Sequence, residues 1–139
     1  MKSVVRVTII SIISVLFFGN QLYAEKYVNI SSHELANLMK HGIPVYDIRR
    51  AEEWKQTGVV PGSRLLTYQD ANGNVVPGFF KRFTKDISNN KSVILICRTG
   101  NRTSKLAHEL EVKYGYSNIY NVQKGIKQWI KDGYQTEKQ

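Results

Sequence analysis

The stretch SVILICRTGNRTSKLAHEL, residues 92 to 110, decides how the rest of the chain is read. After Ser92 it opens on a continuous apolar run, Val93 to Ile96, the pattern of a strand buried on both faces. From Thr103 to Tyr114, Leu106, Ala107 and Leu110 recur at helical spacing. Between strand and helix lies a short polar loop with one glycine and two arginines, and it opens with Cys97, the single cysteine of the chain. In an open parallel sheet, ligands bind beyond the carboxyl ends of the strands, where the chain turns into a helix. Cys97 stands at such a place.

Loop N–H groups and the amino end of a helix favour negative charge. Gly100 permits the backbone angles that let successive N–H groups converge on one point. That environment suits a thiolate on Cys97 and an oxyanion of a substrate. Arg98 and Arg102 add charge that is never lost by deprotonation, which suits a dianion. The expected site is therefore Cys97 as nucleophile, with Arg98, Thr99, Gly100, Asn101, Arg102 and Thr103 binding substrate. The bland alternative is a buried, inert thiol, against which two arginines and a glycine are poor neighbours for an apolar interior.

Working outward, short apolar strands alternate with amphipathic helices. Residues 27–30 read as a strand, and Ser31 to Glu34 supplies a capping box for a helix that turns Leu35, Leu38 and Met39 inward and stops at Gly42. Residues 43–48 form an apolar strand ending in Asp47, followed by Arg49, Arg50 and a short helix from Ala51 to Lys55. Residues 63–68 read as a strand after the Pro61-Gly62 turn, and 77–86 as a helix with Phe79, Phe80 and Phe83 on its core face. Residues 118–122 make a further strand and Gly125 to Lys131 a last helix. The alternation predicts an α/β fold with a central, mostly parallel sheet and helices on both faces. Asp47, at the end of the strand neighbouring Cys97, is expected to anchor Arg49 or one of the loop arginines by a charge-assisted hydrogen bond.

The chain has 139 residues, enough for one domain with its own core. Lys2 and Arg6 precede an apolar run from Val7 to Phe18, which ends before Leu22-x-Ala24. The run is shorter than the ~20 residues that span a bilayer, so residues 1–24 read as a secretory signal peptide and 25–139 as the exported domain, with the periplasm as its expected location and no membrane anchor after cleavage. Removing residues 1–24 lowers the net charge from +9 to +7. The basic residues are scattered, without a run of four or an aromatic-interleaved motif, which argues against nucleic acid and for a basic face that draws in small anions. An oxidising compartment makes an unpaired cysteine notable, because no intramolecular disulfide or C-x-x-C redox pair is available. His33, His41 and His108 are not at ligand spacing with Cys97 or one another, so no metal is expected. None of the three histidines is assigned a catalytic role.

Four segments, in order, resemble the rhodanese-like sulfurtransferases over nearly all of residues 25–139. YDIRRAEEW resembles the family's first motif, with Asp47, Arg49, Glu53 and Trp54 at matching places; TGVVPGS resembles its Gly-His-Ile-Pro-Gly-Ala motif; CRTGNRT resembles its active-site loop; NVQKGIKQWIKDGY resembles its C-terminal signature, with Gly125, Trp129 and Gly133. Val59 replaces the usual histidine, Lys124 the first of two glycines, and the stretch from Trp54 to Gly58 is one residue longer. The resemblance implies that Cys97 accepts sulfane sulfur as a persulfide and passes it on. The expected donor is a small sulfur anion such as thiosulfate and the acceptor a thiol or cyanide, with no metal or organic cofactor. A sulfur-carrier or redox module serving a dedicated protein partner is the second reading. A phosphatase or arsenate reductase is a third, disfavoured because related phosphatases resemble C-x5-R, whereas four residues separate Cys97 from Arg102.

Overall fold

The computed structural model describes residues 24–139, so the expected signal segment lies outside the described residues apart from Ala24. Among the described residues ten elements alternate: β1 (Val28–Ile30), α1 (Ser32–Lys40), β2 (Val45–Asp47), α2 (Ala51–Thr57), β3 (Arg64–Leu65), α3 (Phe79–Asp86), β4 (Val93–Ile96), α4 (Asn101–Tyr114), β5 (Ile119–Val122) and α5 (Gly125–Lys131). The strands form one sheet in the order β1-β5-β4-β2-β3, and all four ladders are parallel. Among the described residues no helix is long and apolar enough to cross a membrane.

The period-2 alternation of β4 divides the core in two. Leu95 and Cys97 point into a cluster with Phe79, Phe83, Leu106 and Leu110, under α3 and α4. Ile94 and Ile96 point the other way, to Leu35, Val45, Ile126 and Trp129, under α1 and α5. Both faces are covered, which is why β4 has no polar side chain along its length. The expected core face of α3 is present: Phe79 and Phe83 are buried and Phe80 packs against them.

Parallel strands put their carboxyl ends on one edge of the sheet. The segments that follow Asp47, Ile96 and Val122 therefore meet there, and these are the entries to α2, α4 and α5. A C-terminal strap ties the segment after α2 to the segment after α5: Val59 and Glu137 exchange two backbone hydrogen bonds, of 2.9 and 2.8 Å. Trp129 of α5 stacks on Tyr134 at a centroid distance of 4.3 Å.

Several element boundaries differ from the sequence reading. α2 runs two residues past Lys55, and α3 begins at Phe79 because Gly78 takes a left-handed conformation (φ 78°). β3 is only two residues long: beyond Leu65 the chain still hydrogen-bonds to β2, through Leu66 N–H to Asp47 O and Tyr68 N–H to Ile48 O, but without a regular ladder. α4 begins at Asn101, two residues earlier than expected, so Arg102 and Thr103 belong to its first turn.

Candidate active site

Cys97 directly follows β4, and only 1% of its surface is exposed. Gly100 N–H donates to its Sγ at 3.1 Å, and Thr103 Oγ1 lies 3.4 Å from the same sulfur. The Thr103 hydroxyl also donates to Gly100 O at 3.0 Å. One hydroxyl proton thus has two destinations. When Cys97 is a thiol, its S–H can donate to Thr103 Oγ1; when it is a thiolate, the Thr103 hydroxyl can turn to the sulfur instead.

The loop's path is fixed by two glycines. Gly100 has φ 94°, and a Cβ there would lie 2.0 Å from Gln123 O. Gly125 has φ 61°, and its Cβ would lie 2.3 Å from Arg98 O. Only glycine lets the start of α5 approach the loop this closely, and the approach is bonded: Ile126 N–H donates to Cys97 O at 2.9 Å and Lys127 N–H to Arg98 O at 3.2 Å. Lys124, which replaces a family glycine, has φ −110° and an exposed side chain, so this position does not need glycine.

The remaining residues expected at the site separate into three groups. Arg98, Thr99 and Asn101 are exposed on the loop, Gly100 and Thr103 are buried, and Arg102 is half-buried. Arg102 does not project freely toward a ligand. Its Nη1 and Nη2 donate to Glu53 Oε2 and Oε1 at 2.8 and 2.7 Å, a two-pronged pair linking α4 to α2. Burial pushes the Glu53 carboxyl up, but the Arg102 hydrogen bonds and the Arg50 N–H bonded to it at 3.0 Å outweigh this and lower it to about 2. The same Glu53 hydrogen bonds raise Arg102 further above its ordinary value, and the nearby Cys97 adds to that. Glu53 was visible in the sequence as a motif residue, but its partner lies 49 positions away and nothing local in the sequence pairs them.

Asp47 takes Arg49, the nearest of the partners expected for it. Arg49 donates through Nε and Nη2 at 3.0 and 2.7 Å, and Trp54 Nε1 adds a third side-chain donor at 3.0 Å. Asp47 and Arg49 are 0% and 1% exposed, so neither meets a ligand directly. The remaining Arg49 donors reach Thr57 Oγ1 at 2.8 Å and Gly58 O at 2.9 Å, at the far end of α2. This pair pins α2 to the end of β2. Through Glu53, α2 in turn holds Arg102 of the loop.

A cleft of about 250 Å³ lies between α2 and the loop, lined by Arg49, Arg50, Glu52, Glu53, Gln56, Thr57 and Arg98. Among the described residues no group of three His, Cys, Asp or Glu side chains is placed to hold a metal ion. The chemistry available is that of one thiol in a six-residue loop from Cys97 to Arg102, with donors at the sulfur and cationic groups around it: a nucleophile for an electrophilic centre carried by an anion.

A rhodanese-like domain model matches residues 31–132. No curated protein is detectably similar. Solved structures that resemble the chain include a rhodanese-related protein from Thermoplasma volcanium, 26% identical with a TM-score of 0.59, covering 78% of this chain and 96% of that one. A protein from M. tuberculosis is 21% identical with a TM-score of 0.65 over 78% and 96% of the two chains. A rhodanese-like domain protein from Staphylococcus aureus is 20% identical with a TM-score of 0.60 over 79% and 98%. With the family model spanning residues 31–132, most of the chain, and the strands forming one five-stranded parallel sheet, the chain belongs to the rhodanese-like domain family.

Proposed function

We propose that the protein is a sulfurtransferase that carries sulfane sulfur on Cys97. The observation that carries this reading is the loop itself: Sγ receives the Gly100 N–H inside a six-residue Cys97–Arg102 turn, a cradle one residue shorter than the C-x5-R phosphate loop. In the forward half-reaction, the Cys97 thiolate attacks the outer sulfur of a donor such as thiosulfate. The sulfur–sulfur bond of the donor breaks, sulfite leaves with the bonding electron pair, and the outer sulfur stays on Cys97 as a persulfide. In the second half, cyanide or a thiolate attacks that outer sulfur and the electron pair returns to Cys97 Sγ. No oxidant, metal or organic cofactor enters either half.

Arg98 and Arg102 supply positive charge beside the incoming anion. Arg102 does so as half of an ion pair with Glu53, so its contribution is to loop shape and local field more than to a free binding fork. The N-terminal segment, with Lys2 and Arg6 before an apolar run and Ala24 at its end, supports export to the periplasm and release of residues 25–139.

The reaction is tested by measuring thiocyanate formation from thiosulfate and cyanide, beside phosphate release from an aryl phosphate, for the wild type and Cys97→Ser. Thiocyanate formation abolished in the variant, with no phosphate release from either protein, is the expected result. Phosphate release lost in Cys97→Ser, with no thiocyanate from the wild type, would replace the sulfurtransferase reading by a phosphatase.

A further inference from the structure

We propose that the cleft between α2 and the Cys97 loop is a subsite for the carboxylate of the sulfur acceptor, which makes the preferred acceptor a small thiol with a carboxylate several bonds from its sulfur. The inference rests on the sulfurtransferase reading and adds the class of acceptor.

Four arginines stand around this edge of the sheet, and their pairing is uneven. Arg49 is bound to Asp47, Arg102 to Glu53, and Arg50 to Glu52 through Nε at 2.7 Å. Among the described residues, Arg98 has no carboxylate partner and no side-chain hydrogen bond, and the two terminal nitrogens of Arg50 have no acceptor. Both side chains line the cleft, together with Gln56 and Thr57. The acids lining it, Glu52 and Glu53, are already matched by Arg50 and Arg102. The cleft therefore carries an uncompensated guanidinium and spare donors from a second, which is the donor set that a carboxylate accepts from.

Size and position separate an acceptor from the donor. At about 250 Å³ the cleft is larger than a small inorganic dianion fills, and its lining begins at Arg98, one residue along the chain from Cys97. An acceptor anchored there by a carboxylate can reach back so that its thiolate meets the persulfide. The acceptor sulfur attacks the outer persulfide sulfur, the bond from that sulfur to Cys97 Sγ breaks, and the electron pair remains on Sγ. The acceptor leaves as a persulfide.

The test uses the protein loaded with sulfur by thiosulfate, freed of excess donor, and followed by intact mass as acceptors discharge it. The probes are glutathione and its diethyl ester, which share one thiol and differ in their carboxylates. Discharge by the acid about 5-fold or more faster than by the ester at low salt, with the preference shrinking as salt rises and falling below about 2-fold in Arg50→Gln and in Arg98→Gln, is the expected result. Equal discharge of the wild type by acid and ester overturns the subsite while leaving sulfur transfer standing. A preference that persists in both variants also overturns it, since the carboxylate is then recognised elsewhere. Failure of the protein to take up sulfur at all removes the sulfurtransferase reading and the subsite with it.

Discussion

Two arginine–carboxylate pairs stand within one helix length of each other and do different work. Asp47 and Arg49 are two residues apart, fully buried, and satisfied on every side by Trp54, Thr57 and Gly58. Glu53 and Arg102 are 49 residues apart, with 13% and 19% of their side chains exposed, and they join two helices across the mouth of the loop. The first pair is architecture: it fixes α2 against β2. The second transmits that fixed position to the loop that holds Cys97. The two carboxylates of the first motif thus divide: Asp47 builds the scaffold and Glu53 aims the site.

The sharpest break in that comparison is Asp47→Ala. It strands a buried guanidinium, and removing one partner of a buried pair costs about 3–5 kcal/mol. Denaturant unfolding should show a loss of that size, with activity falling because folded protein is lost. A loss below about 1 kcal/mol would mean that the pair is not the anchor of α2.

Gly100→Ala comes next. The substitution forces an L residue to φ 94° and pushes a Cβ against Gln123 O. We expect a destabilisation of about 2–4 kcal/mol, read by the same unfolding curves, with displaced amide resonances for residues 97–103 and 123–127. Unchanged resonances in both segments would contradict the account of the loop's packing.

Glu53→Gln separates the two pairs most cleanly, because it should change function more than stability. The expected stability loss is about 1–2 kcal/mol at neutral pH, given the partial burial of the pair. Thiosulfate turnover should fall about 10-fold, as it should in Arg102→Ala, because in both variants the guanidinium is released or lost. The stability gap has a defined pH dependence. The Glu53 carboxyl is held at about 2 when folded and returns to its ordinary value of 4.5 when unfolded, so the pair contributes in full above about 4.5 and its contribution is lost as pH falls toward 2. The difference between wild type and Glu53→Gln should therefore narrow over that window and be flat above it. A gap that widens on acidification would mean that Glu53 is held neutral.

How far the sequence reveals this division depends on distance along the chain. The central strands β4 and β5, the capping box of α1 and the core face of α3 are local patterns, and each is legible from a few residues. The position of Cys97 follows from one strand meeting one helix. β3 was harder to read, because residues 63–68 carry a strand-like composition while only Arg64 and Leu65 find regular partners; the others are bonded irregularly beside β2. The Arg102–Glu53 pair is not legible at all, since it depends on how α2 lies over the sheet edge, and that is set by the burial of Asp47 and Arg49. Arg102 by itself reads as a free anion-binding residue. Only the fold shows that its charge is already engaged and that Arg98, the other arginine of the loop, has no carboxylate partner among the described residues.

The most direct measurement of the central claim is the intact mass of the purified protein after thiosulfate and again after cyanide. The account predicts one added sulfur atom, lost on exposure to cyanide with release of thiocyanate, and no addition to Cys97→Ser. Folded wild-type protein that gains no sulfur, or a Cys97→Ser variant that gains it equally, would contradict the claim that this loop carries sulfur on Cys97.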